Sequence, residues 1–388
     1  MTLHPVWGHG ALRDVLGRAR RDARFPSALL LHGPRGVGKQ RLALWAAQLL
    51  LCERPGAAPC DACHSCHLAL GIQHPDLHWH FPLARPKGVS GDRLGDALEQ
   101  VRGERLAEAR AQPIARTARD EKDSHGIYLA AVQTIRRRAQ SRPSMGSDQV
   151  FVIGEAEELI TQEASQEAAN ALLKLLEEPP RGTRLILTSS EPGRLLPTVR
   201  SRTVPLHVGP LTHDEVRRFL EQQAGIDPAA AERAARSGAG SIGRALGFIP
   251  DEDGPGPLDK KRRRALELLR VSLSARREEA FALALSFPPT GARQLSELLD
   301  FLDEAIRDLG ALAAGVPERA ANPDVADVLG RAHVGAVHPS DVARGLAVVE
   351  RARELARGNV NPQLLVTGLT QELRRTLLGR QAGAGATP

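Results

Sequence analysis

The sequence predicts an α/β fold: a P-loop core on a parallel sheet with an inserted four-cysteine zinc module, then a small helical lid and an all-helical C-terminal domain. Three observations carry this. Residues 28–51 read as an apolar strand, a glycine-rich loop and a helix, the setting a phosphate-binding loop requires. Short apolar runs alternate with helical stretches as far as residue 208, as expected of a parallel sheet covered on both faces. Beyond Gly209-Pro210 the strand signals stop.

Along the chain, residues 10–24 form a basic amphipathic helix broken by Phe25-Pro26-Ser27, and Ala28–His32 is the first strand. Lys39–Leu51 is the helix after the loop, the cysteines follow, and Leu77–Phe81 is the next strand. Residues 82–126 are charged, rich in Ala and Arg, and carry Pro82, Pro86 and Pro113. They read as a long surface excursion, partly without fixed structure. Ile127–Ser141 is a helix on which Arg136, Arg137 and Arg138 are expected on a solvated face, and Val150–Ile153 is a strand. Thr161 is placed to cap the next helix, with Glu163 in its first turn. Leu172, Leu173, Leu175 and Leu176 give that helix its buried side, and Pro179-Pro180 stops it. Leu185–Thr188 and Val204–Val208 complete the strands. The expected domains are a core over 1–208 with the zinc module at 52–66, a helical lid over 209–250, and a helical domain over 259–380. Residues 249–258 link the last two, and the GAGATP tail is expected to fray.

The chain has 388 residues, enough for two or three domains, and its 42% hydrophobic and 25% charged content is globular. Aromatics are only 3%, so Leu, Ala, Val and Ile must build the cores. No run approaches the roughly 18 apolar residues of a membrane helix. MTLHPVWGHG lacks a signal-peptide pattern, so a cytoplasmic location is expected. The net charge of +6 permits contact with nucleic acid or an acidic partner without establishing it. The densest basic run, Lys260–Arg264, opens a helix and reads as a solvated face.

Gly33 to Lys39 match G-x-x-x-x-G-K. In such loops backbone amides cradle phosphates, the lysine reaches the outer phosphates, and a following Ser or Thr holds Mg²⁺. Gly33, Gly36, Gly38 and Lys39 are the nucleotide-binding candidates, but Gln40 stands where the hydroxyl is required. The run 150–153 should end in a Mg²⁺-binding Asp, and Gly154 stands there. Two ligands of one ion are missing, so the Mg²⁺ site is read as lost and ATP hydrolysis as poor or absent. Lys39 and the loop amides can still hold the phosphates of ATP or ADP without metal, because a helix N-terminus favours anions.

Cys52, Cys60, Cys63 and Cys66 follow C-x7-C-x2-C-x2-C, and the chain has no other cysteine. Disulfides do not persist in the cytosol, whereas four thiolates close a tetrahedral structural Zn²⁺ site with no open position for catalysis. His64 and His67 lie beside these ligands and are left out because the shell is full.

These stretches together resemble the clamp-loader ATPase family of the AAA+ class, which serves bacterial DNA polymerase III. The resemblance rests on FPSALLLHGPRGVGK at 25–39, the cysteine module at 51–70, HPDLHW at 74–79, EASQEAANALLKLLEEPP at 163–180 and LILTSSEPGRLLPTVRSR at 185–202. It covers most of residues 1–248, and the helical remainder fits the family's collar domain by length and type only. It implies that Val6-Trp7-Gly8-His9 lies near an adenine, and that Glu155 matches the glutamate that polarises the attacking water. Without a metal, a structural role for Glu155 is the stronger reading from the residues themselves. It also implies that Thr188–Ser190 supplies a sensor and that Gly240–Arg244 is a second sensor motif, with Gly243 where the arginine belongs. Ser201-Arg202-Thr203 matches the family's Ser-Arg-Cys triplet, whose arginine reaches a neighbouring subunit's ATP. Fingers of this kind accelerate phosphoryl transfer by roughly 10³ to 10⁵.

The resemblance implies a subunit degenerate in its own ATP site that holds a pentamer's geometry and supplies Arg202 as a finger in trans. Its partners would be gamma/tau-type and delta-type clamp-loader subunits, the sliding clamp and, through the complex, primed DNA; no membrane is involved. The rival readings are a catalytically active gamma/tau-type ATPase and a nucleic-acid-binding module acting through the zinc knuckle and the basic face.

Overall fold

The computed structural model describes all residues except 1–2, 92, 115–124, 161–165, 251–253, 275, 321, 323–324, 330–333, 336, 357, 359 and 379–388. The expected Thr161 cap with Glu163, and the tail, lie outside the described residues. The chain forms two compact units, Met1–Leu246 and Gly247–Pro388.

The first unit opens with α1 (Gly10–Arg21), β1 (Ala28–His32), α2 (Lys39–Leu51), α3 (His64–Leu70) and β2 (Leu77–His80). It continues with β3 (Leu83–Ala84), α4 (Arg93–Ala111), β4 (His125–Gly126), α5 (Leu129–Ala139), β5 (Gln149–Ile153) and α6 (Gln166–Glu177). It closes with β6 (Thr183–Ser189), α7 (Pro197–Arg200), β7 (Val204–His207), α8 (His213–Gln222), α9 (Pro228–Gly238) and α10 (Ile242–Gly247), whose last residue is the first of the second unit.

Five strands form one sheet in the order β2-β5-β6-β1-β7. Every pairing is parallel. Side chains alternate between the faces. Leu29, Leu31, Val150, Val152 and Ile186 pack with Leu42, Ala46 and Leu49 of α2. Leu30, Phe151, Ile153, Leu185 and Leu187 pack with Val132 and Ile135 of α5 and Leu172 and Leu176 of α6. Covering both faces makes the strands continuous apolar runs, and all of β5 is buried. Leu173, expected in the buried side of α6, is only partly buried against this core.

Both sheet edges are blunted. On β7, Pro205 stands opposite Leu30 and has no N–H to offer another strand. On β2, the Trp79 carbonyl accepts a hydrogen bond from Arg102 Nη1 of α4 at 3.3 Å. The reading of 82–126 as a surface excursion partly without fixed structure does not foresee the ordered elements among its described residues. The segment holds the 19-residue α4, and β3 pairs antiparallel with β4. Leu98 is the one buried residue of α4, so its apolar periodicity was too weak to read. Polar contacts hold it. Arg102 Nε and Nη2 grip both oxygens of Glu99 at 3.0 and 2.7 Å, and Arg138 of α5 reaches Glu99 at 2.9 Å.

The second unit is helical among its described residues: α11 (Pro257–Leu273), α12 (Arg277–Leu285), α13 (Ser296–Ala313), α14 (Val325–Leu329), α15 (Pro339–Ala356) and α16 (Pro362–Leu378). Leu268, Leu269, Leu302, Ile306, Val349 and Leu373 form its centre. The basic run of α11 is partnered by carboxylates, as Arg263 with Asp259 at 2.9 Å and Arg264 with Glu267 at 3.7 Å. Among the described residues no helix is long and apolar enough to cross a membrane.

Candidate functional site

The P-loop leaves the carboxyl end of β1, the strand between β6 and β7, where parallel α/β sheets bind ligands. Gly33, Gly36 and Gly38 have φ of 151°, 76° and 102°, conformations that favour glycine. Space demands glycine as well. A Cβ on Gly33 would lie 2.0 Å from the Val208 carbonyl oxygen, and one on Gly36 2.4 Å from Ser241 Oγ.

Lys39 begins α2, and its ammonium is turned onto the protein. Nζ donates to the carbonyls of Gly33 at 2.8 Å and Pro34 at 2.7 Å, and to Ser190 Oγ at 2.9 Å. Burial pushes its pKa down to about 8, Glu157 acts in the opposite sense, and Arg35 lowers it further. Ser190 N in turn donates to Glu157 Oε1 at 2.9 Å. Glu157 is buried, whereas its neighbour Glu158 turns to Arg194 at 3.6 Å.

Gln40 and Gly154 meet each other. A Cβ on Gly154 would lie 2.8 Å from Gln40 Cδ and Oε1. The Gln40 carboxamide occupies the space an aspartate at 154 would enter. It accepts from Trp79 Nε1 at 3.1 Å and donates to Glu155 Oε1 at 3.4 Å. Glu155, at φ 52°, donates its amide to Thr188 Oγ1 at 3.1 Å.

The helical segment after β7 lies on the loop. Ser241 Oγ donates to the Arg35 carbonyl and Gly243 N to the Gly36 carbonyl, both at 3.0 Å. A Cβ on Gly243 would lie 3.1 Å from Gly36 Cα, so an arginine there would press on the loop. His9 Nε2 reaches the Val37 carbonyl at 2.8 Å, and Trp7 Nε1 donates to the Glu215 carbonyl of α8 at 2.7 Å. The segment 6–9 thus bridges the P-loop and α8. HPDLHW is structural: Asp76 accepts the amides of Ser144 at 2.6 Å and Met145 at 2.8 Å.

Arg202 lies at the other end of the sheet. Val204 stands opposite Leu29 and His207 opposite His32, so Arg202 precedes β7 while the P-loop follows β1. At about 3.3 Å per residue the offset is at least roughly 13 Å, beyond one side chain's reach. Arg202 pairs with Glu177 Oε1 at 2.6 Å and donates to the Thr198 carbonyl at 3.0 Å. Both partners of that ion pair are substantially exposed, so it contributes little, about 0–1 kcal/mol.

The sulfurs of Cys52, Cys60, Cys63 and Cys66 all lie within 4.8 Å of one another. Cys52–Cys63 and Cys60–Cys66 are each 4.0 Å apart, close to the roughly 3.8 Å edge of a tetrahedron with 2.3 Å metal–sulfur bonds. The cluster can hold a metal ion. Cys63 caps α3 by accepting the Cys66 amide, and Gln48 of α2 donates to Asp61 at 2.7 Å, fixing the module to the P-loop helix. His64 and His67 are outside the cluster.

Sequence reasoning did not single out Ser190 as the partner of Lys39, nor Glu157. The run Gly154-Glu155-Ala156-Glu157-Glu158 does not say which carboxylate turns inward, because a tight 3₁₀ turn over Ala156–Ile160 decides it.

Residues 8–212 match the family model described as DNA polymerase III, delta subunit. That is more than half of the chain, and the chain belongs to this family. It is 35% identical over 200 residues to DNA polymerase III subunit delta' of Pseudomonas aeruginosa, an alignment covering 51% of this chain and 46% of the relative. It is 26% identical over 241 residues to the delta' subunit of Escherichia coli, covering 62% and 59%. Against the tau subunit of Escherichia coli it is 26% identical over 365 residues, covering 92% of this chain and 47% of the relative. The chain thus spans about half the length of the relatives it matches. The AAA+ clamp-loader resemblance read from the motifs is borne out.

Proposed function

We propose that this chain is a delta-prime-type subunit of a DNA polymerase III clamp loader, degenerate in its own ATP site. It holds the geometry of the pentamer and presents Arg202 as an arginine finger to the ATP of a neighbouring gamma/tau-type subunit, so that the sliding clamp is loaded on primed DNA during replication. The observation that carries this reading is the pair Gln40–Gly154. The two missing Mg²⁺ ligands are replaced by a carboxamide filling the place of one with the chain of the other. The position of Arg202, out of reach of its own P-loop, supports action in trans. The four cysteines hold structural Zn²⁺, whose second layer is supplied by the amides of Cys60 and Cys66 on neighbouring sulfurs. Residues 209–250 act as lid and 259–380 as collar, and the protein works in the cytoplasm.

The rival, an active gamma/tau-type ATPase, draws on the alignment to a tau subunit over most of this chain. One experiment separates them. ATP hydrolysis is measured for the isolated chain and for a mixture with a gamma-type ATPase subunit, with and without Arg202→Ala. No turnover alone, with a partner rate that depends on Arg202, is the expected result. Robust Mg²⁺-dependent turnover by the isolated chain would reinstate the motor reading.

A further inference from the structure

We propose that Glu157, acting through Ser190, is an internal counterion that keeps the P-loop closed to phosphate, and that removing its charge turns the loop into a nucleotide-binding site. The inference rests on the degenerate-site reading and names the residues that enforce it.

The lysine of a phosphate-binding loop must offer its charge and its N–H groups to the ligand. Here all three donors of Lys39 meet protein acceptors: two loop carbonyls and Ser190 Oγ. Ser190 also donates its backbone N–H to Glu157 Oε1, so one residue ties the carboxylate to the ammonium. Glu157 is 4% exposed and Lys39 6%. The second oxygen of Glu157 has no hydrogen-bond partner among the described residues. A buried carboxylate so poorly satisfied persists only beside a positive charge, and Lys39 is the charge it acts on. A triphosphate entering the loop would meet this carboxylate in a weakly solvated site, and like charges placed together there oppose binding strongly.

The lid strengthens the closure. Ser241 and Gly243 bond the carbonyls of Arg35 and Gly36, which fixes the loop in the shape in which its own acceptors face Lys39.

Binding of ATP to the full chain would be measured by calorimetry, with and without Mg²⁺. The variants are wild type, Glu157→Gln, Ser190→Ala and Glu157→Gln combined with Lys39→Ala. The glutamine keeps an acceptor for the Ser190 amide and removes the charge. Weak wild-type binding is expected, Glu157→Gln binding at least about tenfold tighter with little Mg²⁺ dependence, and loss of that gain in the double variant. A folded Glu157→Gln that binds no better than wild type overturns the proposal, as does a gain that survives Lys39→Ala. If Glu157→Gln does not fold, Ser190→Ala decides, since it frees one donor of Lys39 and must also bind tighter. Weak binding by every folded variant overturns the closure alone. Tight, Mg²⁺-dependent binding by the wild type overturns the degenerate-site reading and the closure with it.

Discussion

Replacing Gly154 by Asp tests whether the two absent Mg²⁺ ligands are one structural event. The new Cβ would meet Gln40 Cδ and Oε1 at 2.8 Å and Nε2 at 3.0 Å, so the carboxamide must leave. It would abandon its bond from Trp79 Nε1 at 3.1 Å and its long bond to Glu155 at 3.4 Å. The half-buried indole N–H left behind makes Gly154→Asp destabilising by about 1–3 kcal/mol, the 3.4 Å bond adding little. Gln40→Thr loses the same indole bond. In the double variant the aspartate enters space already vacated, so its cost should largely vanish. The expected coupling is about 1–3 kcal/mol in favour of the double. The assay is urea unfolding followed by tryptophan fluorescence, because Trp7, Trp45 and Trp79 are the chain's only tryptophans and all lie in the first unit. Additivity of the two single variants within about 0.5 kcal/mol would refute the reasoning.

Removing the metal, or Cys63→Ser, should lower the melting temperature of the first unit sharply, because binding at a structural four-thiolate site is folding free energy. An unchanged melting temperature after verified metal removal would sink the structural-zinc claim. Arg202→Ala should change unfolding free energy by no more than about 1 kcal/mol, since it removes an exposed ion pair with Glu177. It should nonetheless slow a partner ATPase in a reconstituted complex, and equal partner rates would end the finger reading. Lys39 should make stability rise with pH. Its folded pKa, about 8, lies below the usual 10.5, so the fold disfavours the charged form at low pH and that burden lifts between those values. Wild type should gain on the order of 3 kcal/mol relative to Lys39→Met between pH 8 and 10.5. A constant difference across that window would count against burial of a charged lysine.

What the sequence made legible follows from how each element is held. β5 buries every residue, so it reads as an unbroken apolar run, and its observed span differs from the expected one by a single residue, Gln149. α2 begins at Lys39 because Gly38 supplies the left-handed turn before it, and both are visible in the motif. α4 escaped notice because polar contacts, rather than an apolar stripe, hold it: an arginine–carboxylate bond to α5 and an arginine–carbonyl bond to the edge of β2. α3 is seven residues long and capped by a cysteine sulfur, which no capping rule anticipates. In the site, the substitutions at 40 and 154 could be read one at a time. That the Gln40 carboxamide fills the space of a side chain at 154 could not, because positions 40 and 154 lie more than a hundred residues apart in the chain.

The two ends of the sheet carry opposite character, and the proposed function draws on that difference. At the carboxyl end, Lys39, Gln40, Glu155, Thr188 and Ser190 bond within the protein, one oxygen of Glu157 accepts the Ser190 amide, and Ser241 and Gly243 bind the loop carbonyls. A ligand entering there must break bonds already made. At the amino end, Arg202 is held by a surface pair that contributes about 0–1 kcal/mol, against a carboxylate more exposed than itself. A phosphate presented by another molecule carries more charge than Glu177 and accepts a bidentate guanidinium, so exchanging one partner for the other is downhill. The offset along β7 keeps Arg202 from its own P-loop, so under the proposed function any nucleotide it meets would belong to a neighbouring subunit.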